Sequence, residues 1–274
     1  MKSIINHISE QLKPLYPADE AHTLAWWIVE ETTGMSRTEL LTGCKDTTFS
    51  ADMQMIVARL LKKEPIQYIF GHTLWCGLDL KLTSATLIPR PETAEVVEAI
   101  THFQLFRPPH PPIRILDIGT GSGCIALALK NAHPQWEVSG LDVSAEALAI
   151  ARENGDRNGL EVNWIEQDIM TDPIGIYDVI VSNPPYITDS ERAEMDANVL
   201  DYEPHTALFV PDSDPLRFYR RIASLKAAEW LFFEINPRYE QEMVDMMKHL
   251  GYTDIMILKD IYGKARILIG RIAQ

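Results

Sequence analysis

Cysteine is scarce: Cys44, Cys76 and Cys124 are the only three in 274 residues, and no Cys-x-x-Cys pair occurs. An odd count without that spacing excludes a disulfide framework and a thiolate zinc site. All three read as buried thiols of a protein kept in a reducing compartment. Basic charge is short as well, with 25 Lys and Arg against 39 Asp and Glu, a formal net charge of −14. Nucleic-acid affinity comes mainly from Lys and Arg on phosphates, and no basic run supplies a local patch, so direct nucleic-acid binding is not expected. The eight histidines are scattered without ligand spacing, and no metal is expected. Long apolar runs are missing: Leu24 to Val29 is far too short to span a bilayer, and Met1 to Lys13 has no signal-peptide stretch. The expectation is a cytoplasmic monomer that meets no membrane.

With 46% hydrophobic residues, a substantial core is available. Over the first 65 or so residues the apolar positions recur at helical spacing: Ile4, Ile5, Ile8 and Leu12, then Leu24, Trp27 and Ile28, then Met53, Ile56, Val57, Leu60 and Leu61. Breaks at Pro14, Pro17 and Gly34 divide this into short helices, a small bundle over residues 1–65. From Ile66 to Leu87 the period changes to short extended pieces with Gly71 and Gly77, which predicts a β-hairpin linker over residues 66–88. A helix follows Pro89-Arg90-Pro91-Glu92-Thr93 to about Phe106, and Pro108, Pro109, Pro111 and Pro112 reset the chain. Beyond Ile113, strand and helix patterns alternate to Arg271, apart from a long polar loop after Ser182 that runs to about Pro211. Such alternation specifies an α/β domain over residues 89–274. Its parallel sheet is covered on both faces and takes ligand at the carboxyl ends of the strands.

The apolar strand Ile115-Leu116-Asp117-Ile118 runs into Gly119-Thr120-Gly121-Ser122-Gly123 before a helix. A strand-to-helix turn without β-carbons lets a ligand lie on the backbone, and the helix N-terminus offers free N–H groups. The third glycine of a dinucleotide fingerprint is replaced by Cys124, whereas Gly-x-Gly-x-Gly after an Asp-bearing strand resembles the loop of S-adenosylmethionine-dependent methyltransferases. Asp142 ends the next strand about twenty residues on, where a carboxylate can accept both ribose hydroxyls. A helix N-cap is the other role open to it, for which Ser144 competes. Asp168, ending the third strand, can reach an adenine with Ile169 packed on the ring, or be an ordinary turn residue.

The strand Val179-Ile180-Val181-Ser182 ends in Asn183-Pro184-Pro185-Tyr186. Two prolines remove two backbone donors and fix φ, holding the preceding side chain and the carbonyls in place. A planar amide or exocyclic amino group is a weak nucleophile because its lone pair is delocalised. If Asn183 and the carbonyl of Pro184 accept its hydrogens, the lone pair can turn toward a sulfonium methyl while Tyr186 stacks on the planar group.

These segments resemble the PrmC/HemK family of release-factor glutamine methyltransferases. The likeness runs through Glu64-Pro65-Ile66-Gln67-Tyr68 and Gly71, Leu87-Ile88-Pro89-Arg90-Pro91-Glu92-Thr93, the glycine loop, Asp142, Asn183 to Tyr186, Glu203-Pro204 with Ala207-Leu208, and Glu234. The resemblance implies a Rossmann-like sheet of about seven strands whose last is antiparallel, a helical N-terminal domain that grips the protein substrate, and a part in translation termination. It implies S-adenosylmethionine as cofactor, with Asp117, Gly119, Thr120, Gly121, Ser122, Gly123, Asp142, Asp168, Ile169 and Asn183 as its candidate contacts. Catalysis would fall to Asn183, Pro184 and Tyr186. The glutamine amide of a release factor's Gly-Gly-Gln loop would be held by Asn183, Pro184, Pro185 and Tyr186, with Arg90 and Glu203 as further candidates. Arg90 and Glu92 face the substrate or form a helix start, and Glu203 belongs to a lid or to a solvated acidic loop with Asp189, Glu191, Glu194 and Asp196. Two positions depart from the family pattern: Cys76, where an aromatic usually follows Trp75, and Asn236, where a Gly often stands and Asn suits left-handed backbone. The competing expectation is an adenine- or guanine-amino methyltransferase acting on DNA or RNA, because a flipped base presents a similar NH2.

Overall fold

The computed structural model describes residues 2–42, 48–103 and 112–272. Cys44, the expected helix end near Phe106 and Pro108, Pro109 and Pro111 lie outside them. The chain divides into two compact units, Met1–Phe70 with Asp196–Tyr202, and Gly71–Met195 with Glu203–Gln274.

The first unit contains α1 (Lys2–Leu12), α2 (Ala18–Thr33), α3 (Arg37–Thr42), α4 (Ala51–Leu60) and α5 (Ile66–Phe70). The helical apolar stripe forms its core, with Ile5, Ile8, Leu12, Ile28 and Val57 buried together. Gly34 stops α2 in the left-handed conformation at φ +64°. Ser50 caps α4, its side chain accepting from the Met53 N–H at 3.2 Å. Helix α5 replaces the extended start expected at Ile66. The Pro65 carbonyl accepts from the Tyr68 and Ile69 N–H groups, so the proline opens a helical turn. Residues 197–202 form a further short helix of this unit, where the Tyr202 hydroxyl donates to the Lys62 carbonyl at 3.0 Å.

In the second unit, β1 (His72–Trp75) and β2 (Leu78–Lys81) form the hairpin. Its turn places Cys76 and Gly77 at φ +48° and +78°, the paired positive φ that matches the strands' twist. Cys76 is therefore exposed and not a buried thiol, while burial pushes the half-buried Cys124 thiol up to about 12. Helix α6 (Pro91–Thr101) carries Pro91 in its first turn, where a missing N–H costs nothing. Next come β3 (Arg114–Ile118), α7 (Cys124–Ala132), β4 (Glu137–Asp142), α8 (Ala145–Asn158), β5 (Asn163–Glu166) and β6 (Tyr177–Ser182). The expected polar loop is structured: in this unit it holds β7 (Ile187–Thr188) and β8 (Phe209–Val210), paired in parallel, and between them in sequence runs α9 (Ala197–Tyr202), the short helix of the first unit. Then follow α10 (Arg217–Ser224), β9 (Ala228–Glu234), α11 (Glu240–His249), β10 (Tyr252–Lys259) and β11 (Ala265–Ile272).

Seven strands make one sheet in the order β10-β11-β9-β6-β3-β4-β5, and β11 is antiparallel to both its neighbours. Alternate residues feed opposite faces, as period-2 geometry demands. Ile115, Val179, Val181 and Phe232 enter one buried cluster, while Leu116, Ile180, Leu231 and Phe233 enter the other. Burial on both sides explains the near-continuous apolar strands. The chain winds outward from β3 through β4 to β5 and then returns to β6 on the other side of β3. That reversal opens a crevice at the carboxyl ends of β3 and β6.

Candidate active site

Both sequence-marked turns flank this switch point. The loop after β3 bends through three left-handed glycines, Gly119 (φ +73°), Gly121 (φ +55°) and Gly123 (φ +81°). Space is also limiting at Gly123, where a β-carbon would fall 2.8 Å from the Trp164 ring. Asp117 lies beneath the loop, fully buried, with Oδ2 accepting from the Thr120 hydroxyl at 2.6 Å and the Ala126 N–H at 3.3 Å. Burial pushes its carboxyl up to about 7, against those hydrogen bonds. Asp117 Oδ1 and Ser122 Oγ are buried with no partner among the described residues. Asn154 ties the loop from behind: its amide donates to the Ser122 carbonyl at 2.9 Å and to the Lys81 carbonyl at 3.1 Å, and its oxygen accepts from the Lys81 N–H at 2.6 Å.

Asp142 at the end of β4 accepts from the Gly121 N–H through one oxygen and from the Ser144 N–H through the other, both at 2.9 Å. Ser144, not Asp142, caps α8, accepting from the Ala147 N–H at 3.1 Å. Each Asp142 oxygen keeps a lone pair for a hydroxyl donor. A cavity of about 310 Å3 stands over these groups. Of the residues marked in the sequence, Gly119, Gly121, Asp142, Asp168, Ile169, Asn183, Pro184 and Pro185 line it; Asp117, Thr120, Ser122, Gly123, Tyr186, Arg90 and Glu203 do not. Apolar wall comes from Leu87, Leu141, Phe218 and Ile222. A polar edge with free acceptors, an apolar wall and a backbone cradle match a nucleoside with a charged amino-acid tail.

Asn183 donates from Nδ2 to the Thr93 hydroxyl at 3.2 Å, and Thr93 donates to Glu234 Oε2 at 2.7 Å. The Tyr186 hydroxyl donates to Glu234 Oε1 at 3.1 Å, and the Tyr219 hydroxyl to the Glu234 carbonyl at 2.8 Å. Burial raises the Glu234 carboxyl above its usual range, opposed by the Thr93 and Tyr186 hydroxyls and by Arg266, while nearby Glu92 adds to the rise. Burial likewise holds the Tyr186 phenol protonated. Arg90 and Glu203 meet each other at 2.6 Å, and the other Glu203 oxygen accepts from the Ile88 N–H at 3.2 Å, fixing the segment that leads to Leu87 in the wall. Glu203 is buried, so it belongs to no solvated loop.

Asn236 has φ −73°, not the left-handed geometry expected of it; its amide donates to the Tyr186 carbonyl at 3.3 Å and to Glu191 at 3.1 Å. Burial alone would raise the Glu191 carboxyl, but the Thr188 N–H, the Asn236 amide and the Thr188 hydroxyl hold it below the usual range.

The chain is 45% identical to the release factor glutamine methyltransferase of Bacteroides thetaiotaomicron, over 98% of its own length and 99% of that protein's. It belongs to the release factor glutamine methyltransferase family. A relative of the same description from Flavobacterium psychrophilum is 42% identical over 78% of each chain. The family descriptions "PrmC N-terminal domain" and "Methyltransferase small domain" match residues 3–71 and 104–201. A solved methyltransferase from Pyrococcus furiosus, 19% identical, superposes with a TM-score of 0.53 over 82% of this chain and 100% of that one, a likeness of fold. As members of this family are, the chain is an S-adenosylmethionine-dependent methyltransferase.

Sequence reading passed over Asn154 altogether. Asn is a poor residue for the middle of a helix, and its place in α8 was the available signal. Phe218 and Ile222 gave none, since apolar residues at helical spacing read as core.

Proposed function

We propose that this methyltransferase acts on the N5 side-chain amide nitrogen of the glutamine in the Gly-Gly-Gln loop of peptide chain release factors. The observation that carries the proposal is Asn183 at the cavity, tethered through its NH2 and followed by two prolines, in a chain of this family. In this reading Asp142 accepts the ribose hydroxyls of the cofactor, Ile169 packs on its adenine beside Asp168, and the backbone of the Gly119–Gly123 loop cradles its amino-acid tail. When bound, S-adenosylmethionine supplies an electrophilic methyl on a sulfonium. Asn183 Oδ1 and the Pro184 carbonyl accept the two hydrogens of the glutamine amide and turn its lone pair out of conjugation. Pro185 offers no competing N–H, and Tyr186, anchored on Glu234, packs beside the acceptor. No general base is needed before transfer, because the alkylated nitrogen becomes acidic. Orientation of this kind supplies up to about 7–11 kcal/mol of the barrier. The Arg90–Glu203 pair shapes the substrate side through the backbone it holds. The helical N-terminal unit recognises the factor as a folded protein.

The test is methyl transfer from labelled cofactor to unmethylated release factor, beside a factor with its loop glutamine replaced and a mixture of unmethylated DNA and RNA. Label confined to the factor with its glutamine is the expected result; label on nucleic acid alone overturns the proposal. Asn183→Ala keeps cofactor binding by calorimetry and loses about 100- to 1,000-fold in turnover, the usual effect of removing one group that stabilises developing charge. Near-normal turnover would refute the role given to Asn183.

A further inference from the structure

Asn183 reaches the substrate through an amide whose two ends are nearly alike in shape and opposite in function. Presented one way it offers an acceptor, and flipped it offers a donor that would repel the hydrogens it has to hold. Nothing within the Asn-Pro-Pro-Tyr turn decides between the two. Thr93 and Glu234, contributed by the start of α6 and the end of β9, do.

Thr93 Oγ1 has one proton. Glu234 Oε2 lies 2.7 Å away and takes it, and the carboxylate's other oxygen already accepts from the Tyr186 hydroxyl. The face of Oγ1 toward Asn183 is therefore a lone pair, which only the NH2 end can meet, at 3.2 Å. Resting on the proposed acceptor reading, we infer that Thr93 and Glu234 form a polarity relay that fixes the Asn183 amide with Oδ1 free to accept from the substrate. Thr93 and Glu234 are positioning residues: neither lines the cavity, and both are buried. Burial, the largest influence, and Glu92 disfavour a charged Glu234, while the Thr93 and Tyr186 hydroxyls and Arg266 favour it; Glu92 itself lies 4.0 Å from Arg266, and the Tyr219 hydroxyl donates to the Glu234 backbone carbonyl. A reversed relay would require Thr93 to give its proton to Asn183 and leave a buried carboxylate oxygen unpartnered, which is costly.

Removing the hydroxyl while keeping the shape isolates this effect. Thr93→Val is expected to lower kcat about 10- to 100-fold, with KM for the release factor and cofactor Kd close to those of the parent. Thr93→Ser restores the hydroxyl and is expected to recover most of the lost kcat, which a packing role for the Thr methyl would not allow. Thr93→Ala adds no bulk, carries the same expectation as the valine variant, and keeps the test open should that variant not fold. Parental kcat in Thr93→Val or Thr93→Ala overturns the relay. So does Thr93→Ser if it turns over no faster than Thr93→Val. A parent enzyme that leaves the factor unlabelled overturns the acceptor reading itself, and with it the relay's part in catalysis.

Discussion

Replacing Asp117 by Asn probes the charge buried under the cofactor loop. The folded protein holds this carboxyl at about 7, while an unfolded Asp titrates near 3.9. A folded pKa raised above the unfolded one means that the native state binds more protons through that window, so stability is greatest below about pH 4, falls as pH rises, and levels off above about pH 7. A rise from near 3.9 to about 7 corresponds to roughly 4 kcal/mol, more than half of which falls between pH 5 and pH 8. Asparagine keeps the acceptor for Thr120 and Ala126 and cannot ionise. Its NH2 takes the place of an unpartnered oxygen, at a cost that does not vary with pH. Urea denaturation of the cofactor-free protein, parent and Asp117→Asn, at several values from pH 5 to pH 8 therefore gives two stability curves that diverge toward alkaline pH in favour of the variant. Curves that stay parallel would refute the reasoning, because they would show that Asp117 gains no protons on folding.

Two further outcomes follow from the geometry. If Asp142 meets the ribose as proposed, Asp142→Ala weakens cofactor binding about 10- to 100-fold by calorimetry; unchanged affinity would remove that contact. Gly140→Ala places a β-carbon 2.5 and 2.7 Å from ring atoms of Trp164 and 2.8 Å from Thr120 Oγ1. It costs roughly 1–3 kcal/mol in thermal or urea unfolding. A companion Trp164→Leu recovers part of that loss, and an unperturbed single variant would show that the ring yields freely.

The alternation of strands and helices was legible because each element is amphipathic at its own period. The strands expected through Ile118 and Ser182 end at those residues, as β3 and β6. The glycine loop and the Asn-Pro-Pro-Tyr turn stood out because backbone geometry restricts residue choice locally. What stayed hidden was pairing across distance. Glu203 read as part of a surface loop, since an acidic residue among others looks solvated until its salt bridge with Arg90 is in view. Asn236 read as a backbone residue because its side-chain partners, Tyr186 and Glu191, lie 50 and 45 positions away. Cys76 read as buried because thiols usually are, yet a two-residue hairpin turn has no interior.

The hydrogen bonds that hold Asn183 also set an order of events during synthesis. Thr93 precedes Asn183 by 90 residues, and Glu234 follows Thr93 by 141. A nascent chain that has emerged only as far as β7 possesses the glycine loop, Asp142 and the Asn-Pro-Pro-Tyr turn. It has no carboxylate with which to polarise Thr93. Domains grow from the N-terminus, and contacts of long sequence separation form late. The cavity and the hydrogen bonds behind it are therefore finished in sequence: Phe218 and Ile222 close the apolar wall just before β9 is made, and Asn183, Thr93 and Glu234 are joined only after it.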